Sequence, residues 1–122
     1  MRVQTIHHVH FSPAGTTRTV TDALVKEFPG KKITYDLLRE TVQQDVVLGI
    51  DDVLVVGVPV YYGRVPVFCT QSIERFKTTG AACTPAVAVA VYGNRDYEDA
   101  LLELQTILES NGFHVVGAAA CI

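Results

Sequence analysis

VLVVGVPVYYGRVP, Val53 to Pro66, decides how the rest of the sequence is read. Its opening VLVVGV is an almost unbroken apolar run rich in β-branched residues, the pattern of a strand buried on both faces of a parallel sheet. Pro59 closes that strand, because proline brings no amide to a ladder, and the aromatic, glycine-containing stretch Tyr61–Arg64 then reads as a loop. A second run of this kind, AVAVAV at Ala86–Val91, ends in the same way, at Tyr92 and Gly93. Strands buried on both faces need helices on both sides of the sheet, so the fold class is α/β.

Outward from these two runs, strands are predicted at Val3–Phe11, Lys32–Asp36, Asp52–Val58, Pro85–Tyr92 and His114–Ala119. Helical patterns alternate with them: Thr17–Phe28, with Val20, Leu24 and Phe28 on one side; Val65–Phe76; and Tyr97–Asn111, with Leu101, Leu104 and Leu108. Pro29-Gly30 punctuates the first return, and Gly112 stands where a helix C-cap glycine belongs. This alternation implies right-handed βαβ crossovers and an open, mostly parallel sheet. A length of 122 residues suits one domain, 1–122. A doubly wound sheet of this size normally ends in a helix over its first strands, whereas the sequence stops at AAACI, just past the fifth strand. Two expectations follow: the sequence is a fragment of a longer chain, or a partner covers the bare apolar face, most simply a second copy in a homodimer.

Composition excludes several classes of function. The net charge is −3 and the Lys and Arg residues are scattered, which argues against a nucleic-acid surface. No apolar run reaches the roughly eighteen residues of a membrane span, and no secretory leader is evident, so a cytoplasmic location is expected. Cys69, Cys83 and Cys121 lie far apart without metal-binding spacing and read as reduced, core-filling thiols. His8 and His10 share a face of the first strand, with His7 opposite. A metal would need further ligands that the sequence does not obviously supply, so these are read as hydrogen-bonded strand histidines and no metal site is assigned. Asp51 and Asp52 fall at the amino end of a strand. No Ser-His-Asp or Cys-His constellation is present, so no catalytic residue is assigned, and any chemistry would be a cofactor's.

In open α/β sheets, ligands bind beyond the carboxyl ends of the strands. The first such loop, SPAGTT, offers the hydroxyls of Ser12, Thr16 and Thr17, a glycine at Gly15 and a helix start behind it. It is either a phosphate cradle or a helix-capping turn. It lacks the Gly-Lys-Ser/Thr of nucleotide hydrolases and the G-x-G-x-x-G of dinucleotide folds, and so fits a terminal monophosphate. The second loop places Tyr61 and Tyr62 beside Gly63, where they could stack on a flat ring or pack on a helix. The third offers Gly93, Asn94, Arg95 and Tyr97.

The segments FSPAGTT, VGVPVYYGRVP, VAVYGNRDYEDALLEL and GFHVVGAAA resemble the flavodoxin domain of the flavodoxin–ferredoxin fusion proteins, over nearly the whole sequence. The resemblance implies a flavodoxin-like, doubly wound parallel sheet of five strands in the order 2-1-3-4-5, here without the C-terminal helix. It also implies flavin mononucleotide (FMN) as cofactor. Ser12, Ala14, Gly15, Thr16 and Thr17 would surround its phosphate; Pro59, Tyr61, Tyr62, Gly63 and Arg64 would line one side of the ring, and Tyr92, Gly93, Asn94, Arg95 and Tyr97 the other. The function implied is electron transfer with a redox partner protein, a ferredoxin-type domain among the candidates. Ala14 stands where many flavodoxins carry Thr, no Trp is available for the flavin face, and no cysteine run exists for an iron–sulfur cluster. Two other readings remain: an interaction or regulatory domain without flavin, and a flavin-dependent reductase of a small acceptor such as a quinone.

Overall fold

The computed structural model describes residues 3–60, 64–79, 84–91 and 98–121, with side chains in the last segment from 100 to 119. The sequence-predicted ligand residues Tyr61, Tyr62, Gly63, Tyr92, Gly93, Asn94, Arg95 and Tyr97 lie outside the described residues.

In chain order the elements are β1 (Thr5–His10), α1 (Thr16–Val25), β2 (Lys31–Asp36), β3 (Val46–Leu48), β4 (Asp52–Pro59), α2 (Val67–Ile73), β5 (Phe76–Thr78), β6 (Pro85–Val91), α3 (Glu98–Ser110) and β7 (His114–Cys121). The five longer strands form one sheet in the order β2-β1-β4-β6-β7, every pair parallel. Counted among themselves they follow 2-1-3-4-5, the flavodoxin-like order. Strand order reverses between β1 and β4, since the chain leaves β1 for one edge and returns past it to reach β4. Ligands bind at such a reversal. The carboxyl ends are aligned there, with His10 opposite both Asp36 and Gly57, and Pro59 opposite Val91.

Alternate residues of the strands divide the core in two. Val9, Leu54, Val56, Val58, Ala86 and Ala88 point to one face and pack with Cys69 and Ile73 of α2 and Ala100, Leu104 and Leu108 of α3. Ile6, Val53 and Val55 point to the other and pack with Val25 of α1, flanked by Leu24, Phe28 and Val87. The buried stripe of α1 is Thr17, Thr21 and Val25, one residue out of phase with the predicted Val20, Leu24 and Phe28, which are only half-buried. The cause lies beneath the helix. Gly57 of β4 has no side chain, and a Cβ there would collide with the Thr21 methyl group and stand 3.1 Å from that of Thr17. The small threonine edge therefore packs closest, and the larger side chains straddle it.

α2 is shorter than the predicted Val65–Phe76. Pro66 is its N-cap, and Val65, preceding a proline, is biased toward extended backbone. At the other end Phe76 leaves the helix to pair with Val46 in a separate two-stranded sheet, β3 with β5, which the sequence reading did not anticipate. The Phe76 ring is fully buried and meets Tyr35 edge-on, while the Asn111 side-chain amide donates to the carbonyls of Glu74 and Phe76. The expected bare apolar face near the first and fifth strands is not seen in that form. α1 covers β1, and toward β7 the same face carries the small residues Gly117 and Ala119. Among the described residues, no helix is long and apolar enough to cross a membrane.

Candidate functional site

The loop after β1 is built around Gly15, which is the N-cap of α1 at φ 86, a left-handed conformation that favours glycine. Thr16 and Thr17 therefore sit inside the first helical turn and cap nothing, so the helix-capping reading of these threonines is replaced. No side chain caps α1, and no acidic residue occupies its first turn. Its positive end is left uncompensated. The Ser12 hydroxyl oxygen accepts the Arg18 amide at 3.0 Å, and the Ser12 carbonyl accepts the Gly15 amide at 3.3 Å. Ser12 thus braces the loop from below and keeps its own hydroxyl proton for another acceptor. Ala14 and Thr16 are exposed, whereas Thr17 is buried against Gly57.

Pro59 ends β4 half-buried, and the Val60 amide donates to the Val91 carbonyl at 2.9 Å, tying the starts of the second and third loops together. Arg64, at the far end of the second loop, donates to Glu103 Oε2 of α3 at 3.0 Å, and the Val65 amide donates to Glu103 Oε1 at 3.2 Å. The Arg64 guanidinium, and to a lesser degree the Val65 amide, hold the Glu103 carboxyl below its usual range. The sequence reading missed Glu103. An acidic residue between Leu101 and Leu104 was the one available sign.

The β1 histidines are buried. His7 Nδ1 meets the Tyr35 hydroxyl at 2.9 Å, and His7 Nε2 lies 3.9 Å from Asp52. His8 Nε2 lies 2.6 Å from Thr21 Oγ1, whose own proton goes to the Thr17 carbonyl at 3.0 Å. That assigns the His8 proton to Nε2. His10 departs from the expectation of hydrogen-bonded histidines, because neither ring nitrogen has a hydrogen-bond partner. Carboxylates stand closer than the sequence suggested, with Asp22 3.6 Å from His8 and Asp36 3.9 Å from His10. Among the described residues no group of three or more ligating side chains could hold a metal. Burial pulls the His8 pKa down to about 4, helped by the neighbouring His10 ring. Burial also lowers His7 and His10, with Asp52 and Asp36 respectively opposing. All three are neutral near pH 7. Cys69 is buried as predicted, and burial pushes its thiol up to about 12, which leaves it protonated and unreactive.

The described residues therefore bring Ser12, Gly15, Thr16 and Thr17 together at the strand-order reversal, with Pro59 beginning and Arg64 ending the neighbouring loop. No family profile and no curated protein matches the sequence. Solved structures do match its fold. A flavoprotein from Lactobacillus acidophilus, solved in complex with FMN, superposes with a TM-score of 0.66 at 10% identity, over 97% of this chain and 93% of that one. An azoreductase from Bacillus anthracis gives 0.69 at 11% identity, over 96% and 85%. The Trp repressor binding protein from Bacillus subtilis gives 0.55 at 14%, over 94% and 81%. The chain has a flavodoxin-like α/β fold.

Proposed function

We propose that this chain binds FMN and passes electrons between the flavin and a redox partner protein. The observation that carries this reading is the Ser12–Thr17 loop. It sits at the strand-order reversal, opens α1 through a left-handed Gly15, and leaves the helix start without a side-chain cap or an acidic residue. An anion is the natural complement of such a site. The helix-start amides, with the hydroxyls of Ser12 and Thr16, would hold the phosphate; the loops after β4 and β6 would hold the ring. FMN, when bound, supplies one- and two-electron chemistry that no protein side chain offers. The FMN complex among the structural neighbours supports the choice of ligand.

A second reading, a flavin-dependent reductase of a small acceptor, is favoured by the azoreductase among the neighbours. Turnover of a quinone or azo compound with a nicotinamide donor would select it. For binding, the apoprotein is titrated with FMN, flavin adenine dinucleotide and riboflavin. FMN should bind tightest, and the Ser12→Ala/Thr16→Ala double variant should lose about tenfold or more, two charge-assisted bonds being removed. Absence of FMN binding by the wild-type chain would refute the proposal.

A further inference from the structure

We propose that Glu103 is a positioning residue for the flavin-ring loop after β4, an inference that rests on the FMN reading above. One carboxylate makes two separate contacts across the fold. Oε1 accepts the Val65 amide and Oε2 accepts Arg64, residues 38 and 39 positions away in sequence. Val65 is the last residue before Pro66, the N-cap of α2, so Glu103 grips the loop where it turns into a helix. The opposite end of the same loop is gripped by the bond from the Val60 amide to Val91 of β6. Both anchors thus belong to the strand and helix that flank the third loop. The loops meant to embrace the two sides of a planar ring are referenced to one framework, and the Glu103 carboxylate is its only side-chain anchor among these contacts.

The same carboxylate fixes the charge beside the ring. Arg64 is mostly exposed and has a long, flexible side chain, and the pair with Glu103 gives its guanidinium one direction and offsets its charge. Without the negative partner, the positive charge at the end of the ring loop would act on the flavin uncompensated. It would favour the anionic reduced form.

The test uses the full chain with Glu103→Ala, Glu103→Gln, Arg64→Gln and the Arg64→Gln/Glu103→Gln double variant, each titrated with FMN and then reduced in a spectroelectrochemical cell. Glu103→Ala should weaken FMN binding by about tenfold, because the Val65 amide loses its acceptor. Glu103→Gln should stay within about threefold of wild type, since an amide oxygen still accepts that bond. It should also raise the semiquinone/hydroquinone potential, and the double variant should return it toward the wild-type value. A merely structural role would not move the potential in this paired way. If the wild type binds FMN while Glu103→Ala binds it equally well, or if Glu103→Gln leaves the potential unchanged, the inference is overturned and the FMN reading stands. If the wild type does not bind FMN, the reading itself fails. Should Glu103→Ala not fold, the potentials of Glu103→Gln and the double variant still decide the matter.

Discussion

The two faces of the central sheet are stabilised differently. Over one face, α2 and α3 bury a broad aliphatic layer in which Leu54, Val56, Leu104 and Leu108 are fully enclosed. Over the other, α1 alone packs through threonines onto a glycine and two buried histidines, with a small aliphatic cluster at one end. The first face is held by area removed from water. The second is held by close backbone approach and by polar groups that must remain neutral. The comparison teaches why the candidate phosphate loop lies on the α1 side: bringing the helix close to β4 fixes the start of α1, and with it the amides that the loop presents, directly beside the strand-order reversal.

Four substitutions or conditions would break or sharpen this contrast. The largest effect is expected on the aliphatic face, where Leu104→Ala removes a fully buried side chain from between α3 and the sheet. A loss of about 3 kcal/mol in urea unfolding is predicted, with the denaturant slope unchanged. A loss under about 1 kcal/mol would mean that α3 packs loosely. On the opposite face, Gly57→Ala inserts a methyl into the Thr21 and Thr17 contact and should cost about 2 kcal/mol. Combining it with Thr21→Ser, which deletes the obstructing methyl, should recover much of that loss. Additive losses in the double variant would show that α1 does not sit over Gly57 as described.

The third prediction separates the faces by pH. Below pH 6.5 the unfolded chain takes up a proton on His8 that the native state refuses until about pH 4. The stability contributed by neutral, buried His8 is therefore fully present above pH 6.5 and drains away as pH falls toward 4. The lowered His7 and His10 act in the same direction. Urea midpoints should fall between pH 7 and pH 5, and His8→Gln, which keeps a donor toward Thr21, should flatten that slope. An identical slope in the variant would remove His8 from the account. The smallest effect is expected at Leu102, which is large but exposed on α3. Leu102→Gln should change stability by less than about 0.5 kcal/mol.

Much of this molecule was determined by the sequence alone. The two apolar runs, the alternation of strand and helix, the strand boundaries to within a few residues and the position of the Ser12–Thr17 loop all rest on local periodicity and turn chemistry, which neighbouring residues set among themselves. The roles of particular residues were decided elsewhere. That Gly15 caps α1, that Thr17 is buried, that Phe76 pairs with Val46 in a second sheet and that His10 lacks a hydrogen-bond partner each depend on which segments cross. Glu103 makes the point most clearly: between Leu101 and Leu104 it reads as an ordinary polar position, and only the packing of α3 against the loop before α2 brings it to Arg64 and Val65. A periodic pattern fixes which side of an element turns inward, because side-chain direction repeats with the backbone. What that side meets is settled only when residues tens of positions apart are brought together, and there the partner groups, not the pattern, decide what each side chain does.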